Sequence, residues 1–224
     1  MISVIIPTLN AAATLGPCLG ALSPAILDPI LAEVIFADGG SDDETAEIAD
    51  ATGARIVSAP RGRGSQMRMA AETARGEWLL FLHADTALSP EWVEAAREHM
   101  RLDSGRAGFF RLRFDARGAA PAIVAGWANL RGRLGLPYGD QGLLIHRALY
   151  REVGGFPDIP LMEDVAIARA LGRRRLAMLD AEALTSADKY ERNGWLRQGA
   201  RNLTTLGRYA IGVRPDRLVR TYNR

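Results

Sequence analysis

The sequence predicts an α/β fold with a mostly parallel, doubly wound sheet and a C-terminal helical extension. Up to about residue 101, short apolar segments of strand length alternate with segments of helical periodicity, as in strands joined by crossover helices. The chain after Gly194 has the pattern of a helix. With 224 residues, 48% of them hydrophobic, it can bury one core, so we expect a single domain over residues 1–224.

Four strands are predicted in the first half of the chain. They are short and rich in β-branched and other apolar residues, and the first is apolar on both faces, as strands inside a parallel sheet are. Their segments are "ISVIIP" (2–7), "EVIFADGG" (33–40), "ARIVSAP" (54–60) and "EWLLFLHAD" (77–85).

A helix is predicted after each of these strands. We expect Thr8 or Asn10 to cap the first helix, and Ser41 or Asp42 to cap the second, because short polar side chains accept hydrogen bonds from free amides at helix starts. Gly53 is expected to close the second helix. The helical segments are "TLNAAATLGPCLGAL" (8–22), "SDDETAEIADATG" (41–53), "RGSQMRMAAETARG" (63–76) and "SPEWVEAAREHMR" (89–101).

The second half of the chain has a less regular pattern. A strand with one solvent-facing side is predicted at 107–115, a helix at 118–135, and a strand running into a short helix at 138–156. Another helix is predicted at 161–175, with Glu163 and Asp164 in its first turn, and a final amphipathic helix at 193–212.

Composition narrows the class of protein. Lys+Arg number 28 against 26 Asp+Glu, and the formal charge of +2 does not indicate non-specific nucleic-acid binding. The single cysteine, Cys18, excludes an intramolecular disulfide and is expected in the core. No apolar run reaches the roughly 20 residues of a membrane span, and no cleavable signal is recognisable. We therefore expect a cytoplasmic protein.

Polar side chains follow three of the predicted strands at their carboxyl ends. They are Thr8 and Asn10, then Asp38, then His83 and Asp85. Because ligands of open α/β sheets bind at this edge, these groups are expected to converge on one cleft. The glycine patterns of dinucleotide-binding and P-loop sites are absent. Asp38 is suited to a ribose or base, and Asp85 to a hard cation that bridges two phosphates.

Six segments carry a family resemblance: "SVIIPTLN", "ADGGSDDET", "RGRGSQMRMA", "GEWLLFLHADT", "GDQGLLIHR" and "MEDVAIARAL". In this order they resemble the family 2 glycosyltransferases, which have the GT-A fold. "GRGSQMRMA", "LHADT" and "TSADKYERNGW" look closest to a small bacterial subgroup linked with arsenosugar biosynthesis. The resemblance implies transfer of a sugar from a nucleoside diphosphate sugar to an acceptor hydroxyl, with inversion. It also implies a donor half at 1–101, an acceptor and catalytic-base half at 102–193, and a helical tail at 194–224.

The resemblance assigns the donor site. Thr8, Asn10 and Asp38 would contact the nucleotide, and Gly39 stands where the family has a second carboxylate. The triplet 83–85 matches the Asp-x-Asp motif, so that Asp85 and His83 would hold Mg²⁺ or Mn²⁺, with His83 in place of the first aspartate. Two arginines in the glycine-rich segment, Arg61 and Arg63, are candidate phosphate ligands.

The resemblance also assigns the acceptor site. Asp164, with Glu163 beside it, matches the catalytic-base pair, since an acceptor hydroxyl needs a carboxylate that takes its proton. Asp140 and Gln141 match the acceptor block and would line the pocket or steady the base. The acceptor is expected to be a small molecule or a lipid, with a peripheral contact at the inner face of the membrane as a further option.

Two other functions stay open. A protein that keeps the nucleotide-sugar cleft without turnover is favoured by His83 and Gly39, whereas the pair Glu163 and Asp164 argues against it. A sugar-phosphate nucleotidyltransferase also has an α/β nucleotide-binding sheet. That class usually has a glycine-rich basic signature after the first strand, which "PTLNAAATLG" lacks.

Overall fold

The computed structural model describes residues 1–26, 28–102 and 104–222. Within these residues, eight strands form one sheet in the order β3-β2-β1-β4-β7-β6-β8-β5. Four of the seven strand pairings are parallel and three are antiparallel. The strands are β1 Ile2–Thr8, β2 Leu31–Asp38, β3 Arg55–Ser58, β4 Trp78–Phe81, β5 Thr86–Leu88, β6 Ala107–Phe114, β7 Leu143–His146 and β8 Leu176–Thr185.

The predicted α/β fold is confirmed, and its first half is the doubly wound part. β1 pairs in parallel with both β2 and β4, and β3 pairs in parallel with β2. Thr8 lies opposite Asp38 in this register, so the last residues of β1 and β2 are neighbours. The carboxyl ends of these strands therefore face the same edge of the sheet.

The second half adds the antiparallel pairings. β7 is antiparallel to both β4 and β6, while β8 is parallel to β6 and antiparallel to β5. β5 and β8 were not predicted. β5 has only three residues after the turn at 83–85, and β8, "LAMLDAEALT", is rich in alanine and acidic residues that are depleted in strands.

Ten α-helices are described in these residues. The predicted helical segments are confirmed, and two helices that were not predicted lie beside the last one, a short helix before it and another after it. The helices are α1 Ala12–Ile26, α2 Thr45–Thr52, α3 Arg63–Thr73, α4 Trp92–Leu102, α5 Ala119–Arg133, α6 Arg147–Glu152, α7 Glu163–Leu171, α8 Asp188–Asn193, α9 Trp195–Ala210 and α10 Pro215–Tyr222. None of the described helices is both long and apolar enough to cross a bilayer.

The predicted caps of the first two helices are wrong, although Gly53 does close α2 in a left-handed conformation. The Ala11 and Ala12 amides at the start of α1 donate to Thr45 Oγ1 at 3.0 Å and Asp43 Oδ2 at 2.9 Å. α2 begins after Glu44 without a side-chain cap. The first residue of α2 and the loop before it thus satisfy these two amides, a long-range contact that local sequence does not reveal.

Two apolar layers cover the sheet. Alternate residues of β1 point to opposite faces: Val4 packs into the layer under α1 and α4, and Ile5 into the layer under α3 and α7. Cys18 is buried in the first layer, as predicted. A smaller cluster joins Phe114 of β6 to Trp195 of α9. The core thereby fixes the strand ends from both sides.

Candidate functional site

The first cavity lies at the carboxyl ends of β1 and β4, and we call it the β1 cavity. It opens where α3 approaches the turn after β4. The predicted residues Thr8, Asn10, Arg63, His83 and Asp85 all contribute to its wall. Two of the three polar strand ends therefore meet here, as the parallel register requires, and α3 adds Arg63.

Asp38 does not line this cavity, but its carboxylate is hydrogen-bonded to Thr8, which does. Its carboxylate accepts from Thr8 Oγ1 at 3.0 Å, from the Gly40 and Ser41 amides at 2.9 Å each, and from Ser41 Oγ. Partial burial alone would raise the pKa of Asp38, but these hydrogen bonds together lower it below its usual value. Asp38 is therefore an ionised anchor for the Thr8 hydroxyl.

Asn10, in the wall of the β1 cavity, connects the loop after β1 to the loop after β2. Its backbone is left-handed, with φ at 51°. Its amide donates to Ser41 Oγ at 2.9 Å, and its side-chain oxygen accepts from the Asp42 amide at 2.9 Å. Ser41 and Asp42 thus hold this loop instead of capping a helix.

Gln66 has a part in the site that sequence reasoning missed. Its side chain is buried, and its Nε2 donates to the carbonyls of Thr8 and Ala37 at 2.7 Å each. A Cβ at Gly39 would lie 3.2 Å from this nitrogen. The glutamine ties the ends of β1 and β2 together and leaves little room for the carboxylate that the family has at position 39.

The second cavity lies between the turn after β4 and the start of α7, and we call it the α7 cavity. Its wall shares Arg63, His83 and Asp85 with the β1 cavity. Asp140 and Asp164 also line it, and so do Tyr138, Lys189, Tyr190 and Asn202. The two cavities therefore meet at one arginine, one histidine and one aspartate.

His83 is a neutral imidazole at this junction. Burial, with a smaller contribution from the Arg63 charge, lowers the pKa of His83 from 6.5 to about 3. A Cβ at Gly139 would lie 2.5 Å from His83 Nε2, so only glycine allows this backbone to reach the ring. An unprotonated imidazole keeps a nitrogen lone pair, which can bind a metal ion or accept a hydrogen bond.

Asp85 opens onto both cavities. Desolvation by the surrounding walls raises its pKa, while hydrogen bonds and the charges of Arg63 and Lys189 act in the opposite direction. Lys189, on α8, is the only lysine in the sequence, a signal that could have drawn attention to it. Positive charge therefore faces this carboxylate from two separate elements.

Glu163 holds Arg63 in place. The carboxylate is 1% exposed, and its Oε1 lies 2.8 Å from Arg63 Nε. Burial raises the pKa of Glu163, and the adjacent Arg63 charge opposes that rise. Its Oε2 has no hydrogen-bond partner among the described residues. Glu163 thus lines neither cavity itself, but it holds the arginine that lines both.

Asp164 faces the α7 cavity from the start of α7. Its Oδ2 accepts from the Gly139 amide at 2.9 Å, and its Oδ1 accepts from the Val165 amide at 2.7 Å. Gly139 therefore touches His83 on one side and holds Asp164 on the other. A carboxylate oxygen that accepts one such bond still has a lone pair to take a proton.

The predicted acceptor residues take different positions. Asp140 lines the α7 cavity, and burial raises its pKa to about 6, against the opposing charge of Arg131. Gln141 is 0% exposed, and its Nε2 donates to the Phe110 carbonyl at 3.1 Å. Arg61 is exposed and stands outside both cavities as the described residues form them.

The donor set at the junction suits a hard divalent cation bound together with a ligand. No three His, Cys, Asp or Glu side chains form a metal cluster in the described part of the chain. Mg²⁺ is nevertheless commonly held by one or two carboxylates plus substrate phosphates and waters. Asp85, with the neutral His83 beside it, meets that requirement.

Comparison with known proteins gives a family match and several partial relatives. The family model described as "Glycosyl transferase family 2" matches residues 3–133. A "PGL/p-HBAD biosynthesis glycosyltransferase" of Mycobacterium tuberculosis is 39% identical over 95 residues, which are 39% of this chain and 36% of that protein. A "Glucosyl-3-phosphoglycerate synthase" of the same species is 32% identical over 93 residues, 38% of this chain and 28% of that protein. The chain thus matches about a third of these relatives' length.

Solved structures share the fold. S. aureus TarS 1-349 aligns with a TM-score of 0.66 and 21% identity, covering 85% of this chain and 62% of that one. Glucosyl-3-phosphoglycerate synthase from Mycobacterium tuberculosis, in complex with Mn²⁺, UDP and glucosyl-3-phosphoglycerate, aligns with a TM-score of 0.58 and 22% identity, covering 91% and 78%. The chain therefore shares the fold of these two proteins.

Proposed function

The chain belongs to glycosyl transferase family 2, and from that premise we propose that it transfers a sugar from a nucleoside diphosphate sugar to an acceptor hydroxyl with inversion. One observation carries the proposal. Two cavities meet at Arg63, His83 and Asp85, and the Asp164 carboxylate stands in the second of them. A donor in the β1 cavity would place its sugar at this junction, next to the α7 cavity that Asp164 lines.

The donor's nucleotide occupies the β1 cavity in this proposal. Thr8, anchored by Asp38, and Asn10 contact the base and ribose. Arg63, held by Glu163, contacts the diphosphate, and Arg61 would have to move inward to join it. UDP is the first nucleotide to test, because the similar solved structures of TarS and glucosyl-3-phosphoglycerate synthase contain UDP or UDP-sugars.

A divalent cation, Mg²⁺ or Mn²⁺, would be held by Asp85 and His83. When bound, it would stabilise the negative charge that develops on the leaving diphosphate. Arg63 and Lys189 supply positive charge at the same place from the protein itself. The neutral state of His83 supports its assignment as a ligand, since a protonated imidazole cannot coordinate.

Asp164 is the general base. Its carboxylate takes the proton of the acceptor hydroxyl while the acceptor oxygen bonds to the anomeric carbon, and the bond to the diphosphate breaks on the opposite face. This in-line geometry inverts the anomeric centre. Glu163 acts indirectly, because its contact with Arg63 positions the diphosphate ligand.

The acceptor enters the α7 cavity and meets Asp140. Gln141 steadies the turn that carries Gly139 and Asp140, since its amide is committed to the Phe110 carbonyl. A small-molecule or lipid acceptor fits the proposal, and the resemblance to the arsenosugar-linked subgroup favours a small metabolite. Nucleic acid is not proposed as a partner.

The alternative is a binding protein without turnover. The replacement of a carboxylate by His83 and the absence of a three-ligand cluster in the described residues favour it. Asp164 opposes it, because donor binding alone has no need of a proton acceptor in the second cavity. A nucleotidyltransferase has no structural observation in its favour.

A thermal-shift panel separates these possibilities. UDP-, GDP- and TDP-sugars are each tested with and without Mn²⁺, since ligands that bind the folded state raise the melting temperature. We expect one nucleotide to stabilise the protein, more strongly with Mn²⁺, and the Asp85→Ala variant to lose the metal-dependent part. A protein that none of the donors stabilises would refute the donor site, and binding without product in an acceptor screen would favour the binding protein.

A further inference from the structure

α5 carries an apolar stripe that faces solvent. Its exposed large apolar residues recur at i, i+4, i+7 and i+11 from residue 123, the spacing of a single helix face. Trp127 is 53% exposed, and the others are similarly open. The opposite face, with Ala128, packs against β6. The stripe consists of Ile123, Trp127 and Leu130, continuing to Leu134 just after the helix.

α9 presents apolar side chains to solvent and buries polar ones beside the apolar Leu206 and Tyr209. Its inward face carries Gln198, which is 0% exposed and donates from Nε2 to Asn202 Oδ1 at 2.8 Å. Asn202 in turn donates from Nδ2 to the Tyr190 hydroxyl at 2.9 Å. The outward face is apolar, with Leu203 52% exposed. A helix on the surface of a globular domain normally presents polar side chains to solvent.

The two stripes belong to one region of the surface, because α5 and α9 pack against each other. Large apolar patches exposed in this way mark interaction sites. We call the region the α5–α9 face. Its members are Ile123, Trp127, Leu130, Leu134, Leu196, Leu203 and Ile211.

Charge identifies what covers this face. Residues 116–134 and 192–214 together contain eight arginines and no acidic residue, although acids and bases are nearly balanced in the whole chain. Of these eight, Arg131 is buried and Arg214 pairs with Asp216, and the other six supply positive charge. A second copy of the chain would bring these positive segments together, which costs free energy. The partner of this face should offer an apolar interior to the exposed apolar side chains and an anionic surface to the arginines. An anionic lipid bilayer has both.

We propose that the α5–α9 face docks on an anionic lipid bilayer. The apolar side chains enter the boundary between headgroups and acyl chains, where tryptophan is favoured, and exposed arginines such as Arg133 and Arg197 lie at the lipid phosphates. Asn202, on the inward face of α9, and its hydrogen-bond partner Tyr190 of α8 line the α7 cavity. Docking would therefore hold that cavity close to the membrane surface. The inference rests on the surface alone and not on the proposed function.

Vesicle flotation with the full chain tests it, without sugar donor or acceptor present. Vesicles of phosphatidylcholine alone are compared with vesicles that also contain phosphatidylglycerol. We expect binding to the anionic vesicles, weaker binding to the neutral ones, and loss of binding as salt screens the arginines. Equal binding to both, or none to either, overturns the proposal.

Matched variants locate the surface. Trp127→Glu and Leu203→Glu should each lower the partition coefficient by about tenfold or more, because each removes a large apolar side chain from the bilayer. Ile26→Glu, at a position 66% exposed on α1, is the control and should bind like the wild type. Equal losses in all three variants overturn the proposal. So does a wild-type dimer that Leu203→Glu converts to monomer, since this assigns the face to a second copy.

Variants that reverse the charge of an arginine test the electrostatic part of the proposal. Arg197→Glu should weaken binding to anionic vesicles, and Arg101→Glu, an exposed arginine of α4, should not. Circular dichroism and donor-dependent thermal shifts are measured for each variant. A variant that loses vesicle binding but is still stabilised by the sugar donor supports docking. If no sugar donor raises the melting temperature of the wild type, that result bears only on the proposed function. Equal weakening by both substitutions contradicts the assignment to this face.

Discussion

At the scale of single residues, His83 shows how this chain departs from its family. The imidazole replaces a carboxylate and is kept neutral by burial and by Arg63. The replacement removes one negative charge from the junction of the two cavities. The same junction gains positive charge from Arg63, which the buried Glu163 fixes. In the proposed function, Asp85 would be the one carboxylate that holds the metal ion, and the cations of the protein would share the charge of the diphosphate.

His83 also predicts a pH dependence of stability. Its pKa is 6.5 when unperturbed and about 3 in the folded protein, so the unfolded chain takes up the proton first as the pH falls. Stability is therefore lost progressively below about pH 6.5 and down to about pH 3. Without divalent ions, the wild type should lose about 2 kcal/mol more than His83→Asn between pH 6.5 and about pH 5. Urea unfolding at the two pH values measures this difference. Equal losses in the free energy of unfolding of the two proteins would contradict the prediction.

Glu163→Gln tests the indirect role of this carboxylate. The variant keeps the shape but removes the charge that orients Arg63. Because hydrogen bonds to charged groups contribute about 1.5–3 kcal/mol, donor affinity should fall about tenfold or more. Titration calorimetry with the stabilising donor gives the number, and Glu72→Gln, at an exposed glutamate of α3, is the control. Unchanged donor affinity together with a large loss of turnover would instead make Glu163 the base.

At the scale of elements, close backbone approaches set the geometry of the sheet edge. Gly76 lies against β1: a Cβ there would be 2.6 Å from the Ser3 amide nitrogen. Gly16, inside α1, has open space around its Cβ position. Glycine is thus required at the first position and only tolerated at the second.

These two glycines give opposite predictions. Gly76→Ala should destabilise the protein by about 1–3 kcal/mol, because β1 or the segment before β4 must shift. Gly16→Ala should stabilise it by about 0.5–1 kcal/mol, since alanine is the better helix former. Chemical denaturation measures both. A stabilised Gly76→Ala variant would mean that β1 and β4 are not packed as described.

Sequence predicts the elements that have a strong local pattern. β1, β2 and β4 are apolar runs of strand length, and their polar ends had to meet once the sheet was parallel. β5 and β8 lack such a pattern, and they form through pairings between distant segments: β5 with β8, and β8 also with β6. Likewise, the contact between Arg63 and Glu163 joins residues far apart in the sequence, so neither segment alone indicates it.

At the scale of the whole molecule, the site is assembled from two parts of the chain. The family match ends at residue 133, and it covers the strands that form the β1 cavity. Asp140, Asp164 and Lys189 follow that boundary and complete the α7 cavity. In the proposed function, donor recognition would therefore lie in the part that the family model matches, and acceptor selection in the part that follows it. The α5–α9 face spans both parts.

Turnover of Asp164→Asn compared with wild type tests most directly whether the two cavities form one sugar-transfer site. Both proteins are incubated with the donor that stabilises the wild type and with a panel of hydroxyl acceptors, and release of nucleoside diphosphate is followed. The variant keeps the shape and loses the proton acceptor, so kcat should fall by about 10²–10⁴, while donor affinity stays close to that of the wild type. Near wild-type turnover in Asp164→Asn would contradict this and place the base elsewhere, with Asp140 the next residue to test.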